Sequence, residues 1–143
     1  MDILAGLVAA AVIIGFGVLT RQARSMPFYS TVLGVIALVY VLFAAMAEGA
    51  TVILAESGMA AVFVGVAVAA ARERSDRRAG WLLAVALVLH GVFDLGHDAL
   101  ICNPAVPSWW PVFCAVVDIA LGAWLIGLVR YTPSEMPDAP SIP

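Results

Sequence analysis

The chain contains no lysine, and all seven of its basic residues are arginine. Schiff-base catalysis, retinal attachment and pyridoxal phosphate anchoring each need a lysine amine, so all three are excluded. Charge of either sign is scarce: 12% of residues are charged, against about 25% in soluble domains. No basic patch is interleaved with aromatics, which argues against a nucleic-acid partner. Cysteine occurs twice, at Cys102 and Cys114, without the C-x-x-C spacing of a redox pair.

What is present instead is apolar. Hydrophobic residues make up 64% of the 143, and the mean hydropathy is +1.05. Such a composition belongs to an integral, multi-pass membrane protein, read here as one domain over residues 1–130. The apolar segments fall at about 3–20, 28–47, 51–71, 81–101 and 110–128, five in all. The first carries Asp2 ahead of it and arginines behind, the reverse of a secretory signal, so it reads as a retained helix. Pro27 opens the second, and Glu48-Gly49-Ala50 separates it from the third. Residues 28–71 would make about 66 Å of helix, enough for two crossings of a core about 30 Å thick. Ala61, Gly65 and Ala69 form a small-residue ridge of the kind that packs helices together. Arg72–Arg78 reads as a charged loop, and the proline-rich tail, 131–143, as a mobile cytoplasmic extension.

Arginine placement tests the number of spans. Five spans put the loops after the first and third segments and the C-terminus on one side, and these hold all seven arginines. A four-span arrangement would divide the arginines across the membrane. The expectation is an all-α bundle of five transmembrane helices, N-terminus outside and C-terminus cytoplasmic, in a prokaryotic cytoplasmic membrane.

The fourth segment carries His90-Gly-Val-Phe-Asp94-Leu-Gly-His97-Asp98. On a helix His90, Asp94 and His97 fall within roughly 60° of one another, with Asp98 at the border. Counting rise per residue from the outer surface places Asp94 and Tyr40 about 10 Å deep and Asp118 about 12 Å. Glu56, His97 and Cys114 come out about 6–8 Å deep, and His90 about 16 Å. Four helices thus bring ionisable or phenolic groups into one half of the membrane, where an uncompensated charge is expensive.

Imidazole with carboxylate suits a divalent transition metal, zinc first. His90 and His97 are about 10.5 Å apart along the axis, too far for one ion to reach both easily. The expected ligands are Asp94, His97, Asp118 and Glu56, with His90 behind them; two metals bridged by Asp94 form a variant. In the corresponding enzyme, a metal-dependent hydrolase of a lipid-like substrate, Asp98 or Glu56 would be general base. Tyr40 or His90 would then stabilise the oxyanion. Two other readings compete. One is a cation or proton transporter subunit using the same carboxylates, completed by further copies of the chain because the inner half is nearly bare of polar groups. The other is a non-catalytic subunit with a structural network of His90–Asp94 and His97–Asp98 or His97–Asp118 pairs. Haem does not fit, since both histidines share one helix face. On an oxidising side, Cys102 and Cys114 are expected to form a structural disulfide.

The residue types near His90–Asp98 and at Asp118 resemble those of the alkaline ceramidase and adiponectin-receptor superfamily, membrane hydrolases that hold zinc in a seven-helix bundle. The resemblance covers these positions alone. Five helices rather than seven, and two histidines where that family uses three, mean that no catalytic residue is carried over.

Overall fold

A computed structural model describes residues 1–47 and 49–131. Glu48 and nearly all of the proline-rich tail (132–143) lie outside the described residues. The described residues form five helices: α1 (Asp2–Leu19), α2 (Met26–Met46), α3 (Ala50–Arg72), α4 (Asp76–Leu100) and α5 (Trp110–Tyr131). No strand occurs among the described residues, and all five helices are long and apolar enough to cross a membrane.

Each helix turns one stripe inward at helical spacing. On α3 the buried positions are Glu56, Ala60, Phe63, Ala67 and Ala70, a strict three-four alternation. Tyr40 lies on the corresponding stripe of α2, with Tyr29, Leu33, Ala37 and Ala44. Polar and apolar residues therefore share the same inward faces, and periodicity alone sets their rotation. α4 is the least apolar span, with a mean hydropathy of 1.7, yet 56% of that window is buried, the largest share of the five. It sits at the centre, packed chiefly on α5 and also on α2 and α3, while α1 leans on α5.

Two local features differ from the sequence expectation. Arg72–Arg78 is not one loop, because α4 already begins at Asp76. Ser75 supplies the reason: its Oγ accepts from the Arg78 backbone N–H at 3.4 Å, and Asp76 favours the positive helix end. The Ala61–Gly65–Ala69 ridge faces away from the other helices. All three residues are exposed, and a Cβ on Gly65 would meet nothing within 4 Å.

The bundle has two chemically distinct ends. Arg24, Arg77, Leu128 and Val129 line one cleft, and the Arg130 guanidinium lies 6.0 Å from the Trp81 ring centre, so arginines from three segments gather at one end. A core layer of Leu33, Leu83, Leu87, Leu121 and Leu125, all fully buried, follows. Beyond that layer lie the buried histidines and carboxylates.

Candidate metal centre

α4 and α5 approach closely where the site is built. A Cβ on Gly91 would lie 3.0 Å from the Ala115 carbonyl oxygen and 3.3 Å from Asp118 Cβ, so hydrogen at this position lets the helices meet. That contact brings Asp118 opposite His90. His90 Nδ1 is 2.7 Å from Asp118 Oδ2 and 3.4 Å from Asp94 Oδ2, one turn along α4. His90, Asp94 and Asp118 each offer a ligand atom, all within 4.8 Å of one another, and together form a group that can hold a metal ion.

The group is closed off from solvent. Asp94 and Asp118 are 0% exposed and His90 is 1%. Asp94 Oδ1 and Asp118 Oδ1 accept no well-formed hydrogen bond within the protein, and Asp94 Oδ2 has the long 3.4 Å contact with His90 Nδ1. Buried carboxylate oxygens are normally satisfied by hydrogen bonds. Tetrahedral ligands about 2.1 Å from an ion stand about 3.4 Å apart, so small side-chain rotations would close the three around one cation.

A second polar group lies one to two turns further along α4. His97 Nε2 is 2.8 Å from Glu56 Oε1, and Asn103 Nδ2 donates to the same oxygen at 3.0 Å. Asn103 also donates to the Tyr40 carbonyl at 3.4 Å, while its Oδ1 accepts from the Ala105 N–H at 3.2 Å. Glu56 Oε2 is buried without a partner. Aromatic rings join the two groups. Tyr40 stacks on His97 with ring centres 4.2 Å apart, and its buried hydroxyl lies beside the Asp94 carboxyl. Phe63 meets His90 edge-on at 4.6 Å.

The expected site residues therefore separate. Asp94 and Asp118 come together, and the histidine that joins them is His90. His97 and Glu56 form the neighbouring pair. Asp98 ends up at the rim, its side chain 78% exposed and 3.4 Å from His97 Nδ1. The sequence reading gave no role to Asn103, although a buried Glu56 needs a donor and a polar residue in the nearby connection can supply it. Phe63 likewise has no role in the sequence reading, although its seven-residue spacing from Glu56 puts it on the same inward stripe.

The expected Cys102–Cys114 disulfide is not formed. Both cysteines are free, Cys102 exposed and Cys114 buried. The cause is local. Glu56 and the Tyr40 carbonyl draw Asn103 inward, which turns the preceding Cys102 outward, while Cys114 lies on the buried face of α5 one turn from Asp118.

Comparison with protein-family models, with curated proteins and with solved structures finds no match to this chain.

Proposed function

We propose that the chain is an integral membrane metalloenzyme. It holds one divalent transition metal, zinc first, on His90 Nδ1, Asp94 and Asp118, and hydrolyses a lipid-like substrate. The carrying observation is two fully buried carboxylates, each with an oxygen that accepts no hydrogen bond, converging on one imidazole nitrogen. A cation would offset charge that lipid cannot solvate. Bound there, the ion would supply a water of lowered pKa and polarise the substrate carbonyl.

The chain's own residues fill the remaining roles. Glu56 Oε2 is free to take a proton, while Oε1 is held by His97 and Asn103. The Tyr40 hydroxyl beside Asp94 is placed to donate to a developing oxyanion. Hydrolysis adds water oxygen to the acyl carbon, breaks its bond to the leaving oxygen, and returns the proton to that oxygen through Glu56. With the arginine end cytoplasmic, the site lies in the outer half of the membrane and the substrate enters from the outer leaflet.

The direct His90–Asp118 and His97–Glu56 contacts favour one second reading, a metal-free polar network that holds the helices together. Transport has less support, because the leucine layer intervenes between the site and the arginine end. Metal analysis of purified protein decides between the first two. The metalloenzyme should carry about one transition metal per chain, lose it in Asp94→Ala and Asp118→Ala, and cleave a fluorogenic lipid ester in micelles until chelator is added. Glu56→Gln should abolish cleavage and retain metal. Metal-free protein whose melting point ignores chelator would overturn the reading in favour of the network.

A further inference from the structure

A groove of about 640 Å³ runs between α3 and α4 on the arginine half of the bundle. Its size is that of a ligand site rather than a packing defect. Phe63 and Ala86, both buried, form the floor; Val62, Leu82, Val85 and Leu89, all at least 43% exposed, form the walls. The lining is almost wholly apolar until the end nearest the α3–α4 connection, where it reaches Trp81, Glu73 and Arg78.

Those end residues are not equivalent. Glu73 is engaged locally, its Oε1 accepting from the Ser75 backbone N–H at 3.1 Å. Arg78 has only its backbone N–H engaged, with Ser75 Oγ. Its guanidinium joins no ion pair among the described residues. An apolar slot open to lipid thus ends beneath a guanidinium that joins no ion pair among the described residues and an indole at the membrane surface. Arg72 and Arg74 add positive charge in the same segment, against the carboxylates of Glu73 and Asp76. Basic pockets between transmembrane helices bind anionic lipid headgroups on this principle, and tryptophan settles at the same depth.

We propose that the α3–α4 groove is a binding site for one anionic phospholipid of the leaflet on the arginine side. One acyl chain lies over Phe63 and Ala86, and the phosphate sits on Arg78. The site depends on the chain spanning a membrane and not on the metal or the hydrolase reading.

The test is native mass spectrometry of the full-length protein, purified and exchanged into mixed micelles holding equal phosphatidylglycerol and phosphatidylcholine of matched chain length. Wild type should retain one phosphatidylglycerol in preference to phosphatidylcholine. Arg78→Gln should weaken that retention about fivefold, the effect of one cation at an anionic surface. Arg77→Gln removes the same charge but faces the cleft with Arg24, and should leave retention nearly unchanged. Val85→Trp fills the groove from its exposed wall and should reduce retention with Arg78 intact. If Val85→Trp does not fold, Leu82→Trp on the same wall replaces it. Equal retention of the two lipids, equal losses in the two arginine variants, or a groove-filling variant that still holds lipid would each overturn the proposal.

Discussion

His90 Nδ1 and Asp118 Oδ2 stand 2.7 Å apart across the α4–α5 interface, with neither residue open to solvent. Among the described residues this is the shortest contact between a titratable group of one helix and that of another. One imidazole nitrogen faces two carboxylates there, so the arrangement has more acceptor oxygen than donor hydrogen.

Replacing His90 therefore exposes that imbalance. His90→Ala leaves Asp94 and Asp118 facing each other without a cation, and stability should fall by about 3–5 kcal/mol, as for other broken buried pairs. Metal should be lost as completely as in the aspartate variants. His97→Ala removes the partner of Glu56 instead and should leave most of the metal in place. Thermal melting and elemental analysis of the two variants side by side check this. Metal retained in His90→Ala and lost in His97→Ala would return the ligand set to Asp94, His97, Asp118 and Glu56.

Close helix approach makes a second prediction. In Gly91→Ala the new methyl meets the Ala115 carbonyl and Ile119 at 3.0 Å, and Asp118 Cβ at 3.3 Å. Ile119 is partly exposed and can turn aside, but the Ala115 backbone and the buried Asp118 cannot give way freely, so about 1–3 kcal/mol should be lost. Because Asp118 is one of the crowded groups, metal affinity should fall with stability. Gly65→Ala, whose methyl would meet nothing within 4 Å, should be neutral or slightly stabilising. Equal effects of the two substitutions on melting temperature would contradict this packing.

How much of this was legible in the sequence varies by feature. Length and hydropathy marked out the helices, because each is an apolar run of the length a bilayer crossing needs. Depth was legible too, since rise per residue is fixed, and it brought Tyr40, Glu56, Asp94 and Asp118 to one half of the bundle. The pairing of histidines with carboxylates was not. His90 and His97 share a face, and which one meets Asp118 depends on the axial offset between α4 and α5, set by packing at Gly91 and Gly122. Asn103 stayed hidden because its role arises from a connection folding back over α3, which no periodicity encodes. The disulfide expectation failed for the same reason: depth placed the two cysteines near one another, but their directions come from the fold.

Orientation in the membrane carries its own test. A cytoplasm-active reporter fused after Arg130 should be active, and a periplasm-active one inserted near Asn103 should be active, because the arginines cluster at the opposite end of the bundle from the site. Inverted reporters would move the site to the inner half and its substrate to the inner leaflet.

The cysteines should differ sharply in reactivity. Cys102 is exposed and should react with a membrane-impermeant maleimide in intact protein, whereas Cys114 is buried and should react only after denaturation. Reductant should leave the mass and the melting point unchanged. A two-dalton gain on reduction would reinstate the bond.

Asn103 offers the sharpest separation between a connection that merely links helices and one that organises the site. Its amide joins Glu56 Oε1 and the Tyr40 carbonyl, tying the α4–α5 connection to α3 and α2 at once. In Asn103→Ala both acceptors lose a donor, and Glu56 keeps His97 as its one remaining partner among those described. A loss of about 1–3 kcal/mol is expected from removing hydrogen bonds to two buried acceptors, one of them a carboxylate. Asn103→Asp keeps the shape but sets a second carboxylate against Glu56, and should cost more than the alanine. Hydrogen exchange adds a readout that global stability does not: amides of residues 101–109 should exchange faster in both variants, while those at the arginine end of α4 stay protected. Metal content should be nearly unchanged, because Asn103 contacts none of His90, Asp94 and Asp118. Turnover of the lipid ester should fall, because Glu56 is no longer held in place. An alanine variant with wild-type exchange and wild-type turnover would mean that the connection plays no part in holding Glu56.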